Sequence, residues 1–194
     1  MTALDRIVAD VRRRAEQRRA KQPLARLKDV VREDSWRRER FLGAIAREPF
    51  ALVPVIRRRT PWSGALLEET GARPTRVPVP GPRWFAFAQG CLAGGAAALA
   101  VTTEEVHFGG SLDDLRAVEF TKLSRVRDDF VVDEAMLWEA CLYGADAVLL
   151  RAAILDEVQL AGLRAGGPRP RRRGTPPTAS PRRRRSRRGR ATAW

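Results

Sequence analysis

Apolar positions recur at helical spacing near the start of the chain and gather into short uninterrupted runs further on. Leu4, Ile7, Val8 and Val11 fall three and four residues apart and line one face of a helix. Pro23 interrupts this pattern, and Trp36, Phe41, Leu42 and Ile45 form a second short amphipathic run. The period changes after residue 49. Ala51–Ile56 is a first strand candidate, although Pro54 removes one ladder donor. Ala97–Val101 follows the turn signal Gly94-Gly95 as a second strand, Leu123–Phe130 is a mostly charged third, and Asp146–Leu150 follows Gly144 as a fourth. Between them Trp84–Leu92, Ser111–Phe120 and Asp133–Tyr143 have helical spacing, and Asp156–Leu163 predicts a final helix. Ser111 with Asp113 and Asp114, and Asp133 with Glu134, supply N-cap oxygens and first-turn negative charge. Alternating strands and helices, with near-continuous apolar strands, predict an α/β fold with a parallel sheet covered by helices.

Charge divides the 194 residues into three zones: 1–48 helical, 49–165 β/α, and 166–194 a tail. The net charge of +14 invites a nucleic-acid reading, but its location weakens that reading. Residues 168–194 hold 11 arginines and no acid or lysine, so residues 1–167 keep 26 of the 37 cations against all 23 acids. The basicity is mostly a tail of Arg, Pro, Gly, Ser, Thr and Ala ending in one Trp, a composition that predicts disorder. Such a tail binds polyanions nonspecifically and in a salt-dependent way. It has no interleaved aromatics for stacking bases. In residues 1–48 the charges are mixed in sign, which favours solvated helices docked by one face over a nucleic-acid contact. No apolar run reaches about 18 residues and the N-terminus is charged throughout, so the expectation is a cytoplasmic protein with no membrane partner. Cys91 and Cys141 read as reduced core residues, with a disulfide as the alternative.

Candidate chemistry is sparse. His107 is the single histidine, so a structural role is expected and no His-rich metal site can form. Gly94-Gly95 and Gly109-Gly110 have neither Walker nor dinucleotide spacing and read as turns. Arg57-Arg58-Arg59 ends the first strand, at the carboxyl side of a parallel sheet where α/β proteins bind anions; a solvated loop is the bland alternative.

Taken in order, the segments resemble the N-terminal part of indole-3-glycerol phosphate synthase. Leu4–Asp10, Pro23-Leu24 and Phe41-Leu42 resemble that family's extra N-terminal helices. Ala51–Gly64 resembles the first strand and loop written ALIAEVKKASPSKG. Gly94–Thr103 resembles the second strand, Phe108–Leu115 the motif FxGSLEDL, Val126–Asp133 the motif LRKDFIID, and Gly144–Asp156 the fourth strand and its loop. The match runs from about residue 4 to 164, with a Pro-rich interruption at Ala72–Arg83 that is either a lid or an insertion. The resemblance implies the N-terminal part of a (β/α)8 barrel, about four β/α units behind extra helices. It also implies closure of an indole ring on 1-(2-carboxyphenylamino)-1-deoxyribulose 5-phosphate in tryptophan biosynthesis, with loss of carbon dioxide and water. The substrate is a small anionic phosphosugar, and neither metal nor organic cofactor takes part.

Residue by residue, the resemblance also implies departures. The family's first-strand Glu aligns with Val55, its first-strand Lys with Arg57, and its third-strand Lys with Asp128. Arginine keeps the charge but is a poor proton donor, and a carboxylate at 128 is a charge reversal. Thr60, Pro61, Phe108, Phe130 and Leu149 fit the carboxylate and aromatic ends of the family's substrate pocket. A full barrel takes about 250 residues, and the family's later catalytic Glu and Asn and its phosphate-binding loops find no counterpart before the tail. The body holds only Lys21, Lys28 and Lys122 as lysines, and an acid-free tail after such a body suggests a frame shift near Gly166 in GC-rich coding sequence. The expectation is a carboxy-lyase relative with absent or impaired activity and open sheet edges prone to self-association. The alternative is a noncatalytic half-barrel module that docks on a partner chain or binds polyanions through its tail.

Overall fold

The computed structural model describes residues 2–31, 38–47, 50–66 and 83–168. Trp36, most of the Ala72–Arg83 interruption and nearly all of the tail lie outside them. Helix α1 (Ala3–Lys21) begins with a capping box, in which Thr2 Oγ1 accepts from Asp5 N and Asp5 accepts from Thr2 N. Pro23 ends the turn after it and starts α2 (Leu24–Val30), and α3 (Arg38–Ala46) follows. Among the described residues the N-terminal zone thus has three helices where the apolar pattern shows two runs, because α2 is only seven residues long and buries a single leucine, Leu27.

Strands β1 (Val55–Ile56), β4 (Ala98–Thr102), β5 (Ser124–Asp128) and β6 (Ala147–Leu149) form one parallel sheet in that order. Helices α4 (Arg83–Ala93), α5 (Leu112–Ala117) and α6 (Glu134–Leu142) make the crossovers, and α7 (Glu157–Gly166) follows β6. Three of the strands are shorter than their predicted runs, while β4 keeps five residues, shifted by one from Ala97–Val101. The first is cut to two residues, though Leu52 O and Pro54 O still accept from Ala97 N and Ala100 N. A small antiparallel pair, β2 (Arg59–Thr60) with β3 (Gly64–Ala65), was not legible as strand in a segment so rich in arginine and turn residues. The caps form as expected: Ser111 Oγ accepts from Asp113 N and Asp133 Oδ1 from Met136 N. Asp113 and Asp114 both lie in the first turn of α5 as expected, and Asp114 also pairs with Arg58.

Two apolar layers hold the helices to the sheet. Ile56, Leu99 and Val101 pack with Ala88, Leu115, Val118 and Ala140 beneath α4, α5 and α6. Ile7, Val8, Val11 and Ala15 of α1 pack with Phe130, Val131, Met136, Leu137 and Leu163. Cys141 is buried and Cys91 half-buried, both free. Burial, with Asp146 adding to it, pushes the Cys141 thiol up to about 11, and burial raises Cys91 as well. No helix among the described residues is long and apolar enough to cross a membrane.

The charged strand β5 is buried at all five positions. Alternation sends Arg127 to the helix side, where its side chain is 1% exposed. There it donates to Asp129 Oδ2 (2.8 Å), Thr103 Oγ1 (3.0 Å) and Met136 O (2.6 Å). Burial pushes the Asp129 carboxyl up. The Arg127 charge and hydrogen bonds from Thr103, Arg127 and Phe130 N outweigh it, leaving the group below the usual aspartate range. The unfolded chain therefore binds that proton more readily. The stability Asp129 contributes is whole above the ordinary aspartate value and is lost as pH falls through the folded one. Asp129→Asn should lower stability at pH 7 by about 1–3 kcal/mol, by leaving Glu139 as the remaining counter-charge of the buried Arg127. It should also flatten the acid limb of a stability–pH curve measured by urea unfolding. An acid limb equal to that of the parent protein would show that Asp129 contributes no such term.

Gly110 approaches the sheet so closely that a Cβ would lie 2.0 Å from Thr102 O. The space, and not the turn alone, demands glycine there. Gly110→Ala should cost about 1–3 kcal/mol in the same measurement, since the clash is with backbone that cannot rotate away.

Candidate active-site cleft

The sheet register brings Thr102, Asp128 and Leu149 level at the carboxyl ends of β4, β5 and β6. Arg57 follows Ile56, whose partner Val101 precedes Thr102, so it ends the same row. Asp128 is 3% exposed, and its two oxygens are divided between neighbours. Oδ2 accepts from Arg57 Nη2 (2.9 Å) and Thr102 Oγ1 (3.0 Å), and Oδ1 accepts from Arg151 Nη2. Two cations share one buried carboxylate, leaving one excess positive charge at the strand ends. Each guanidinium also lies over an aromatic ring, Arg57 at 5.2 Å from the Phe108 centroid and Arg151 at 4.8 Å from Phe130.

Beside this triad opens an apolar cleft of about 490 Å³. Phe108, Phe130, Leu149 and Trp62 form its walls with Leu4 and Ile7 of α1 and Ile154. Phe108 and Phe130 stand 5.8 Å apart, and Trp62 meets Phe108 edge-on at 5.9 Å. Phe108 is held from two sides. Glu104 accepts from the backbone N–H groups of Val106, His107 and Phe108 and pairs with Arg14 of α1. On the other side Phe108 O accepts from Arg59 N, and Val106 O from Arg59 Nη2. His107 Nε2 lies 3.1 Å from Asp10 Oδ2, a further tie between α1 and the loop.

Of the residues singled out from sequence, Arg57, Asp128, Phe108, Phe130 and Leu149 gather here. Thr60 and Pro61 do not line the cleft: Thr60 is buried with Oγ1 accepting from Ser63 N (2.9 Å), and Pro61 is exposed in the same turn. Together they shape the turn that carries Trp62. The three consecutive arginines are not a free anion cradle, because Arg57 is paired with Asp128, Arg58 with Asp114 and Arg59 with a carbonyl. Val55 sits exposed on the edge strand, with no carboxylate in its place. Sequence reasoning missed Trp62 and Arg151. Arg151 carried a signal, being the single charge between Asp146 and Asp156 at the end of an apolar strand. Among the described residues no three His, Cys, Asp or Glu side chains gather as a metal ion requires.

Comparison with known proteins agrees with this geometry. The family model described as indole-3-glycerol phosphate synthase matches residues 4–167. The chain is 37% identical over 169 residues to the indole-3-glycerol phosphate synthase of Kineococcus radiotolerans, a match covering 84% of this chain and 57% of that one. Identity is 35% over 164 residues to that of Streptomyces griseus and 36% over 167 residues to that of Micrococcus luteus. Each of these matches takes in 84% of this chain, with 56% and 58% of the relative. The chain therefore spans little more than half the length of the curated relatives it matches. Its four parallel strands, with their crossovers and preceding helices, are the N-terminal part of that family's (β/α)8 barrel. On the extent of the match and the fold alike, the chain belongs to the indole-3-glycerol phosphate synthase family.

Proposed function

We propose that this chain is a divergent indole-3-glycerol phosphate synthase-like protein of tryptophan biosynthesis that keeps the aromatic end of the substrate pocket and has lost most of the ring-closing chemistry. Phe108, Phe130, Leu149 and Trp62 offer apolar walls for the aryl ring of 1-(2-carboxyphenylamino)-1-deoxyribulose 5-phosphate. Ring closure then requires an acid on the sugar carbonyl, and dehydration a second acid–base pair. The observation that carries the reading is Asp128, a carboxylate held by two arginines at the position where the resemblance expects an ammonium. A guanidinium at 57 attracts a carboxylate but gives up no proton near neutral pH. Val55 has no titratable atom at all. A positioned acid or base contributes about 10²–10⁴ in rate, so losing both positions should cost about 10⁴ or more. Purified protein incubated with that substrate should bind it without forming the fluorescent indole product. Product formation near the usual enzymatic range of about 1–10³ per second would overturn the reading.

A second reading, a noncatalytic module that pairs with another copy of itself, is favoured by the sheet edges. Among the described residues neither β1 nor β6 has a second strand neighbour, and Leu52, Val55 and Leu149 are exposed there. Two copies related by a two-fold axis would set β6 of each beside β1 of the other, giving the eight parallel strands of the family barrel. Sedimentation at tens of micromolar should then show a dimer that Val55→Lys dissociates. A monomer throughout would exclude this arrangement.

A further inference from the structure

We propose that Arg151 is the residue by which this cleft selects a carboxylate-bearing aromatic ligand over its neutral counterpart. The inference deepens the reading of the same cleft as an aryl-binding pocket and rests on it. Among the described residues lining the cleft, Arg151 is the single charged one; the other described ones are apolar. It lies two residues beyond the end of β6, at the carboxyl edge of the sheet, and its side chain is 31% exposed beside a carboxylate that is 3% exposed. The guanidinium is therefore the accessible part of the pair, and Asp128 the buried part.

Two features prepare it to receive an anion. Asp128 Oδ1 takes one Nη2 proton, which fixes the orientation of the fork and leaves the other Nη donors unspent. The fork lies over Phe130, a wall of the cleft, so a flat ring resting on Phe130 and Phe108 presents an attached carboxylate to the guanidinium edge. Arg57 shares Asp128 as well, so one carboxylate cannot cancel both guanidiniums and one positive charge is left over beside the cleft. Asp128 is a positioning residue here, and Arg151 a specificity-determining one. An apolar cleft with one excess positive charge at its rim suits the carboxylate-bearing planar ring of such a ligand.

The test is fluorescence titration of the full chain with 2-naphthoate and with the neutral 2-naphthamide, near pH 7 and at low salt. The parent protein should bind the carboxylate about tenfold or more tighter than the amide, as expected for one charge-assisted pair. Arg151→Leu should bring the two ligands to within about twofold while leaving the amide affinity in place, and Arg151→Lys should retain part of the preference. Should Arg151→Leu fail to fold, Arg151→Gln is read the same way, with retained amide binding as proof of an intact cleft. Arg116→Leu, at the opposite end of the sheet beside Tyr143, removes the same charge and should preserve the preference. An undiminished preference in the Arg151 variants overturns the proposal. So does equal binding of both ligands by the parent protein, an outcome that leaves the account of lost ring closure standing on its own measurement of product. Absence of binding by both naphthyl ligands overturns this proposal and the aryl-pocket reading together.

Discussion

Burying a strand with the sequence Ser-Arg-Val-Arg-Asp at the centre of a sheet is the constraint around which the rest is arranged. A buried charge without a partner costs several kcal/mol, and a five-residue strand with three charges is tolerable only if each face supplies counter-charges. On the helix side Arg127 meets Asp129 and Thr103 from the strand ends, and Met136 O and Glu139 from α6. Glu139 in turn reaches Arg18 of α1. One network therefore ties the N-terminal helix, the sheet and the crossover helix together. On the other face Asp128 gathers Arg57 and Arg151 from the strand ends on either side.

The cleft depends on the same arrangement. Helix α1 does not merely cover apolar surface. Through Arg14 and Asp10 it fixes the loop that holds Phe108, and through Leu4 and Ile7 it supplies part of the wall. Glu104 spends its carboxylate on three successive backbone N–H groups, which sets the Phe108 loop before any ligand arrives. The aromatic end of the site is thus prearranged by ion pairs that take no part in chemistry.

Much of this was legible in the sequence. The order of strands and helices follows from the change of apolar period after residue 49, and five of the site positions emerge from motif correspondence: Arg57, Phe108, Asp128, Phe130 and Leu149. The charged third strand was the hardest element to read, because its hydrophobic signal is absent and its burial comes from pairing with distant residues. The same cause hid Arg151, whose meaning depends on Asp128, 23 positions away. Trp62 escaped because an exposed aromatic in a turn has no period, and Thr60 and Pro61 proved to shape that turn and not the cleft. Local pattern reveals elements; pairings across strands are set by register, which no single segment carries.

The alternation of sign along β5 also guards against misassembly. Sliding the strand by one residue one way would put Arg127 among Arg57 and Arg151, three guanidiniums around one point. Sliding it the other way would bring Asp128 against the Glu139 carboxylate and the Met136 carbonyl. Either error juxtaposes like charges in a medium too poor in water to screen them. The strand that looks least suited to a sheet interior is therefore the one whose alignment is most strictly enforced. The apolar β4, with five buried residues and no charge, depends on its charged neighbour for that alignment.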